Sequence, residues 1–339
     1  MNGVKTIKLF AYLLSQIVLV LLLLECVGRL FDPLGISYYP ETAAYMDTLI
    51  IEEPIGYRNQ PNLTGNFFGV PVSINSIGLR DQEVSAKTNS EFRILVMGDS
   101  MPFGIGVQVE DSFPAQLEQL LQQNSTSQKH IHTLNLGVPS YNTEQELTQL
   151  KQIGMGLEPD LVALLFSAND LQAKMWIFDK RRSWFTDLAQ RSYAASLIYT
   201  AYKHLKRRFA NVKPIEKPRT AVTKQQPSPP SRAANSAWNS VQRSLSEMNI
   251  LLKRRGIPFL LFTFNEAPQY TKNLSEIGKT EDIPVIHLDS STDRRWDRYE
   301  PKETSNSVTD SHPNELGNRI IATMMADYLI LSGYVPRLH

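Results

Sequence analysis

Hydrophobic and polar positions divide the chain into three stretches of different rhythm. Residues 9–24 (LFAYLLSQIVLVLLLL) run for sixteen positions without a charge and are apolar on every helical face, which suits lipid better than a protein core. A helix of that length covers about 24 Å, and extension to Gly28 brings it to about 30 Å, the thickness of a bilayer's hydrocarbon core. The extension takes in Glu25, one turn from the end where a carboxylate reaches the interface, and Arg29, which snorkels. Residues 32–90 are rich in Pro, Gly and Asn, with short apolar pieces at 66–70 and 71–74 that predict a small hairpin or an extended lead-in.

From residue 91 the rhythm becomes strand–helix alternation. Continuous apolar runs at 93–97 (RILVM), 131–136 (IHTLNL), 161–166 (LVALLF), 257–264 (IPFLLFTF) and 283–288 (IPVIHL) predict five buried strands. Between the first three lie segments at helical spacing, 113–123 with Leu117, Leu120 and Leu121, and 143–153 opening on Thr143 with Glu146 three positions on, a capping-box signature. A last helix is predicted from near Pro313, carrying Leu316, Ile320, Ile321, Met324, Met325, Tyr328 and Leu329. This order implies an α/β fold with a parallel sheet and helices on both faces. Residues 171–235 interrupt it: 193–210 read as a helix ending in a basic run (Lys203, His204, Lys206, Arg207, Arg208), and 213–232 are Pro-rich and polar. The stretch reads as an insertion over one end of the sheet. Its basic run reads as a solvated helix face, with contact to anionic lipid or polymer as the alternative. The expected organisation is a signal anchor at 1–31, a lead-in at 32–90 and one α/β domain at 91–335.

Composition narrows the classes. Lys plus Arg number 35 and Asp plus Glu 34, a formal net charge of +1, without the basic excess of a dedicated nucleic-acid binder. Hydrophobic residues make up 42 %, so the chain as a whole is not disordered. Cys26 is the one cysteine, which excludes an intramolecular disulfide and a Cys-rich zinc site. Lys5 and Lys8 precede the apolar run and only Arg29 follows it before Arg58, a bias that puts the N-terminus in the cytoplasm and the rest outside it. A cleaved signal peptide and lipid attachment at Cys26 compete with the uncleaved anchor. Against them, no small-x-small site follows the run, and Glu25 stands where a lipobox needs a small residue.

Candidate chemistry gathers at the carboxyl ends of the predicted strands, where open α/β sheets place their ligands. Gly98-Asp99-Ser100 follows the first strand directly and exposes the Ser100 hydroxyl on a strand-to-helix turn. A hydroxyl is a weak nucleophile and needs a base within hydrogen-bond reach and donors for developing negative charge. Gly137 follows the second strand, with a backbone N–H that no side chain shields. Asn169 follows the third, with an amide able to donate to an oxyanion. Asp310 and His312 precede the last helix and offer an orienting carboxylate and a base. Each alone reads as an ordinary turn or cap residue. Gly104 and Gly106 form neither a G-x-G-x-x-G nor a Walker motif, which argues against a nucleotide site.

In their order, these four blocks resemble the SGNH hydrolases, the GDSL esterase/lipase family, over about residues 93–330. Ser100, Gly137, Asn169 and His312 match the four residues that name the family. Gly104, Gly106, Phe113-Pro114 and the lead-in Asn75-Ser76-Ile77-Gly78-Leu79-Arg80 are similar to its membrane-anchored bacterial members. The resemblance implies a flavodoxin-like three-layer sandwich around a five-stranded parallel sheet. It also implies a catalytic set of Ser100, Asp310 and His312, an oxyanion hole of Ser100, Gly137 and Asn169, and no cofactor or metal. Three positions depart from the pattern: Met101 replaces Leu, Ser167 replaces Gly, and the last block is D-x-H, which leaves Asp289 as a substitute acid. The implied activity is an extracytoplasmic serine esterase on an acylated glycan, a small lipid ester or an aryl ester. An O-acyltransferase of envelope polysaccharide and a non-catalytic envelope assembly protein remain as alternatives.

Overall fold

The computed structural model describes residues 2–32, 35–124, 129–174, 188–189, 191–210, 232–264, 266–288, 295, 298–307 and 310–336. Its helices and strands are, in chain order, α1 (Asn2–Phe31), α2 (Tyr38–Met46), β1 (Ile50–Glu52), β2 (Gly56–Arg58), β3 (Thr64–Phe67), β4 (Val70–Ser73), β5 (Glu91–Met97), α3 (Ser100–Phe103), α4 (Phe113–Asn124), β6 (His130–Asn135), α5 (Thr143–Gln152), β7 (Leu161–Phe166), α6 (Tyr193–Ala210), α7 (Arg232–Lys253), β8 (Phe259–Phe264), α8 (Pro268–Glu281), β9 (Val285–Leu288), α9 (Pro301–Thr304) and α10 (Glu315–Leu331). The chain divides into two compact units.

The first unit comprises Met1–Asp47, Arg181–Pro229 and Ser307–Asp310. Its main element is α1, whose stretch Lys5–Phe31 is long and apolar enough to cross a membrane. The helix expected over 193–210 is present as α6. Much of the segment expected to be an insertion, 175–187, 190 and 211–231, lies outside the described residues.

The second unit, Thr48–Lys180, Pro230–Asn306 and Ser311–His339, holds the sheet. Five parallel strands lie in the order β6-β5-β7-β8-β9. Counted along the chain this is 2-1-3-4-5, the flavodoxin-like order. Successive side chains of a strand point to opposite faces, and β5 shows the division. Ile94 and Val96 join α4 and α10 in one apolar layer, with Phe113, Leu117, Ile321 and Met325. Leu95 and Met97 join α5, α7 and α8 in the other, with Leu147, Leu150, Leu245 and Leu274. Both faces are covered, so the strands read as unbroken apolar runs. The hairpin expected within 66–74 forms as β3–β4, with Phe67 opposite Val70.

One expectation is corrected. Thr143 and Glu146 do not form a capping box. The N-cap of α5 is Asn142, whose side chain accepts the Gln145 N–H at 3.0 Å. Thr143 is already helical, and Glu146 is buried among apolar and carboxyl groups. Asn and Thr both cap well, and a spacing rule alone does not say which of two neighbours does so.

Candidate active site

The site begins where β5 ends. Its last residue, Met97, leads through Gly98 to Asp99, whose side chain accepts the Met101 N–H at 3.1 Å and starts α3 at Ser100. The Ser100 N–H is therefore the first of a helix, where amides have no intrahelical acceptor. His312 arrives from a residue far along the chain, and its Nε2 stands 2.8 Å from Ser100 Oγ. The loop that delivers it is pinned within the same unit. The His312 carbonyl accepts the Asn306 N–H at 2.9 Å, Pro313 forms a bridge to Ser305, and Asn306 Nδ2 donates to the Ile105 carbonyl at 2.8 Å.

Gly137 lies against the backbone of α3. A Cβ there would stand 2.2 Å from the Phe103 nitrogen, so only glycine allows this approach. Its N–H donates to Asn135 Oδ1 at 2.9 Å, while Asn135 Nδ2 donates to the Pro102 carbonyl at 2.7 Å. The amide expected to face a ligand is thus engaged by Asn135 in this structure. Asn169, on the turn after β7, donates from Nδ2 to the Tyr141 carbonyl at 3.1 Å and also bonds the Asp99 carboxylate. Ser167, which replaces the family's usual Gly, turns its hydroxyl to Asp99 Oδ1 at 3.2 Å.

Asp310 is buried and closes a turn in which its N–H bonds Ser307 Oγ at 3.0 Å and its carbonyl accepts the Ser307 N–H at 3.1 Å. Asp289 lies outside the described residues.

Two supports of α3 were not foreseen. Arg80 is buried and donates to the carbonyls of Phe103 (2.9 Å), Gly104 and Val107 (2.7 Å), with its guanidinium 5.1 Å from the Phe103 ring centroid. Asn75 shapes the turn that presents it, accepting the Ile77 and Leu79 N–H groups at 3.1 and 2.9 Å. The sequence signal was the lead-in Asn75-Ser76-Ile77-Gly78-Leu79-Arg80, in which one Asn-headed turn ends in a lone arginine. On the other side, Asp99 belongs to a buried carboxyl group with Glu146 and Asp170. Burial first, then Asp170 and Asp99, pushes the Glu146 carboxyl well up; burial and then Asp99 do the same to Asp170. Burial raises Asp99 as well, against bonds from Met101, Asn169 and Ser167 and the charge of His312. Among the described residues no group of three or more His, Cys, Asp or Glu side chains is arranged to hold a metal ion.

The model of the GDSL-like lipase/acylhydrolase family matches residues 96–320, more than half of the chain and all four blocks. The chain belongs to that family. It is a serine ester hydrolase by that membership, and its central sheet is the family's α/β fold. Solved structures similar to it include a protein assigned to the G-D-S-L lipolytic family from Desulfitobacterium hafniense, 13 % identical, covering 70 % of this chain and 99 % of that one at a TM-score of 0.42. A catalytic variant of an acetylxylan esterase from Geobacillus stearothermophilus is 14 % identical and covers 71 % of this chain and 94 % of its own, at a TM-score of 0.42. A two-domain esterase active on acetylated mannans is 14 % identical and covers 73 % of this chain but 50 % of its own, at a TM-score of 0.44. No curated protein sequence matches the chain.

Proposed function

We propose that the protein is an extracytoplasmic, membrane-tethered esterase that cleaves carboxylic esters through an acyl-Ser100 intermediate. The observation that carries this reading is the 2.8 Å approach of His312 Nε2 to Ser100 Oγ, across 212 positions of sequence. His312 takes the Ser100 proton as Oγ attacks the ester carbonyl, then gives it to the departing alkoxide, releasing the alcohol. Water, deprotonated by the same imidazole, attacks the acyl-serine; the acid leaves and Ser100 regains its proton. Asp310, two residues before His312, is the proposed orienting carboxylate, fixing the tautomer that leaves Nε2 free to accept.

The proposed oxyanion donors are the Ser100 N–H, the Asn169 amide and the Gly137 N–H. In the resting site Asn135 holds the Gly137 N–H, and the Tyr141 carbonyl and Asp99 hold the Asn169 amide, so the use of either donor requires its resting acceptor to yield to the more strongly accepting oxyanion. Position on a tether favours esters reachable from the membrane face, either an O-acylated glycan or a small lipid or aryl ester.

Aryl-acetate turnover by the purified full-length chain tests the reading. We expect turnover in the native protein and a loss of about 10⁴-fold or more in Ser100→Ala. Equal turnover by the variant refutes it. Release of free acid, rather than acyl transfer to an added saccharide, separates hydrolysis from transfer.

A further inference from the structure

The end of α1 is built to receive a second helix. Glu25, the carboxylate that interrupts the apolar run, accepts the Ser192 hydroxyl at 2.8 Å and the Ala194 N–H at 2.9 Å, so it caps the start of α6. Arg29 donates to Glu25 at 2.6 Å and to the Arg191 carbonyl at 3.1 Å. Gly28 seats the Tyr193 ring, where a Cβ would fall 1.8 Å from a ring carbon. Three residues ill suited to a lipid-facing helix are thereby explained as one docking site. Glu25 lies about 24 Å along the helix from Leu9, one turn short of the roughly 30 Å hydrocarbon thickness, where a carboxylate reaches the interface. α6 therefore starts at that level.

The first turn of α6 is buried (Tyr193, Ala194, Ala195, Ser196), but the helix then presents apolar side chains outward. Ile198 is 46 % exposed, Tyr202 54 % and Leu205 54 %. They stand at i, i+4 and i+7, one stripe of a helix. The same turns carry Lys203, Lys206, Arg207 and Arg208, and Tyr193–Ala210 contains no Asp or Glu. An apolar stripe with only positive charge on a helix that starts at a membrane surface fits one occupant. We infer that α6 is an interfacial helix lying on the anionic headgroup layer of the bilayer that α1 crosses, with Ile198, Tyr202 and Leu205 in the acyl boundary and the positive charge of its sequence matched to that layer. The inference rests on the anchor reading of α1, and it takes up the lipid contact that the sequence left as the alternative to a solvated face.

The test uses the full-length chain with Cys26→Ser, carrying single cysteines at Ile198, Tyr202 or Leu205 labelled with an environment-sensitive fluorophore. Controls are Leu19→Cys in α1 and Glu247→Cys on α7, an exposed residue of the second unit. Nanodiscs contain phosphatidylcholine with or without phosphatidylglycerol, and lipids brominated near the headgroup or deep in the chain quench by depth. We expect the three α6 probes to be quenched by shallow bromines more than by deep ones. Removing phosphatidylglycerol, or neutralising Lys206, Arg207 and Arg208 to Gln, should lower that quenching by about two-fold or more. If the α6 probes behave like the Glu247 control while the Leu19 probe is quenched deeply, the inference is overturned and the anchor stands. If the Leu19 probe is unquenched too, the anchor reading falls and takes the inference with it. Shielding that depends on protein copies per disc would assign the stripe to a second chain and also overturn the inference.

Discussion

The two ends of α3 are held in opposite ways. At its carboxyl end, Arg80 brings a permanent positive charge to the carbonyls of Phe103 and Gly104, acceptors that the end of a helix leaves open, and to that of Val107 in the loop beyond. At its amino end, Ser100 and its cap Asp99 sit over Glu146 and Asp170, carboxyls whose burial makes ionisation costly. The arginine clamp keeps one charge state at any pH a protein survives, whereas the carboxyl layer changes state with pH. Ser100, the proposed nucleophile, is thus fixed from one side by geometry and from the other by a group of residues that prefers to keep protons.

The sharpest way to break that contrast is at Asn169, which bonds both Asp99 and the Tyr141 carbonyl. Asn169→Ala should lower kcat by about 10²–10³-fold, as loss of an oxyanion donor does. KM for an aryl ester should stay close to native, and a change confined to KM would count against the role. Next is Arg80→Met, which deprives three carbonyls of their donor. We expect a loss of about 2–4 kcal/mol in urea unfolding, with Arg80→Lys recovering only part of it. An unfolding midpoint unchanged in the Met variant would show that the clamp carries no weight.

The smallest effect, and the one that separates the two ends, is Glu146→Gln. A carboxyl whose folded pKa lies above its ordinary value of 4.5 binds protons more tightly folded than unfolded. Stability is therefore fullest below the ordinary value and falls as pH rises through the folded one. The variant should remove that share of the decline. It should be more stable than the native protein by about 1 kcal/mol at pH 8, and no better at pH 4. Arg80→Met should lower stability by a similar amount at both values. Parallel profiles for native and Glu146→Gln would contradict the carboxyl account.

Much of this is legible in the amino-acid sequence. Five apolar runs, two of them ended by glycine, marked the sheet because strands buried on both faces carry no alternation to confuse with surface. The residues that converge, Ser100 and His312, stood out as polar groups placed just past strands or just before a helix. The supports did not. Arg80 stood out only as the end of the lead-in that resembles the family, since nothing in the local pattern says that it turns inward to carbonyls more than twenty positions away. Asn135 ends an apolar strand, and its two hydrogen bonds, one donated to the Pro102 carbonyl and one accepted from the Gly137 N–H, depend on a crossover the sequence does not encode locally. The β1–β2 hairpin, three residues per strand, is too short for a period of two to register. Glu146 was misread because a helix-start rule sees spacing and not the burial that the sheet imposes.

The central claim is that His312 is the base that activates Ser100. A fluorophosphonate ester reports this directly, since it modifies only an activated serine hydroxyl. On the native full-length chain, peptide mass mapping should place one adduct, on Ser100, and the labelling rate should fall by about 10³-fold or more in His312→Ala. An adduct on any other residue, or an undiminished rate without the imidazole, would contradict the account.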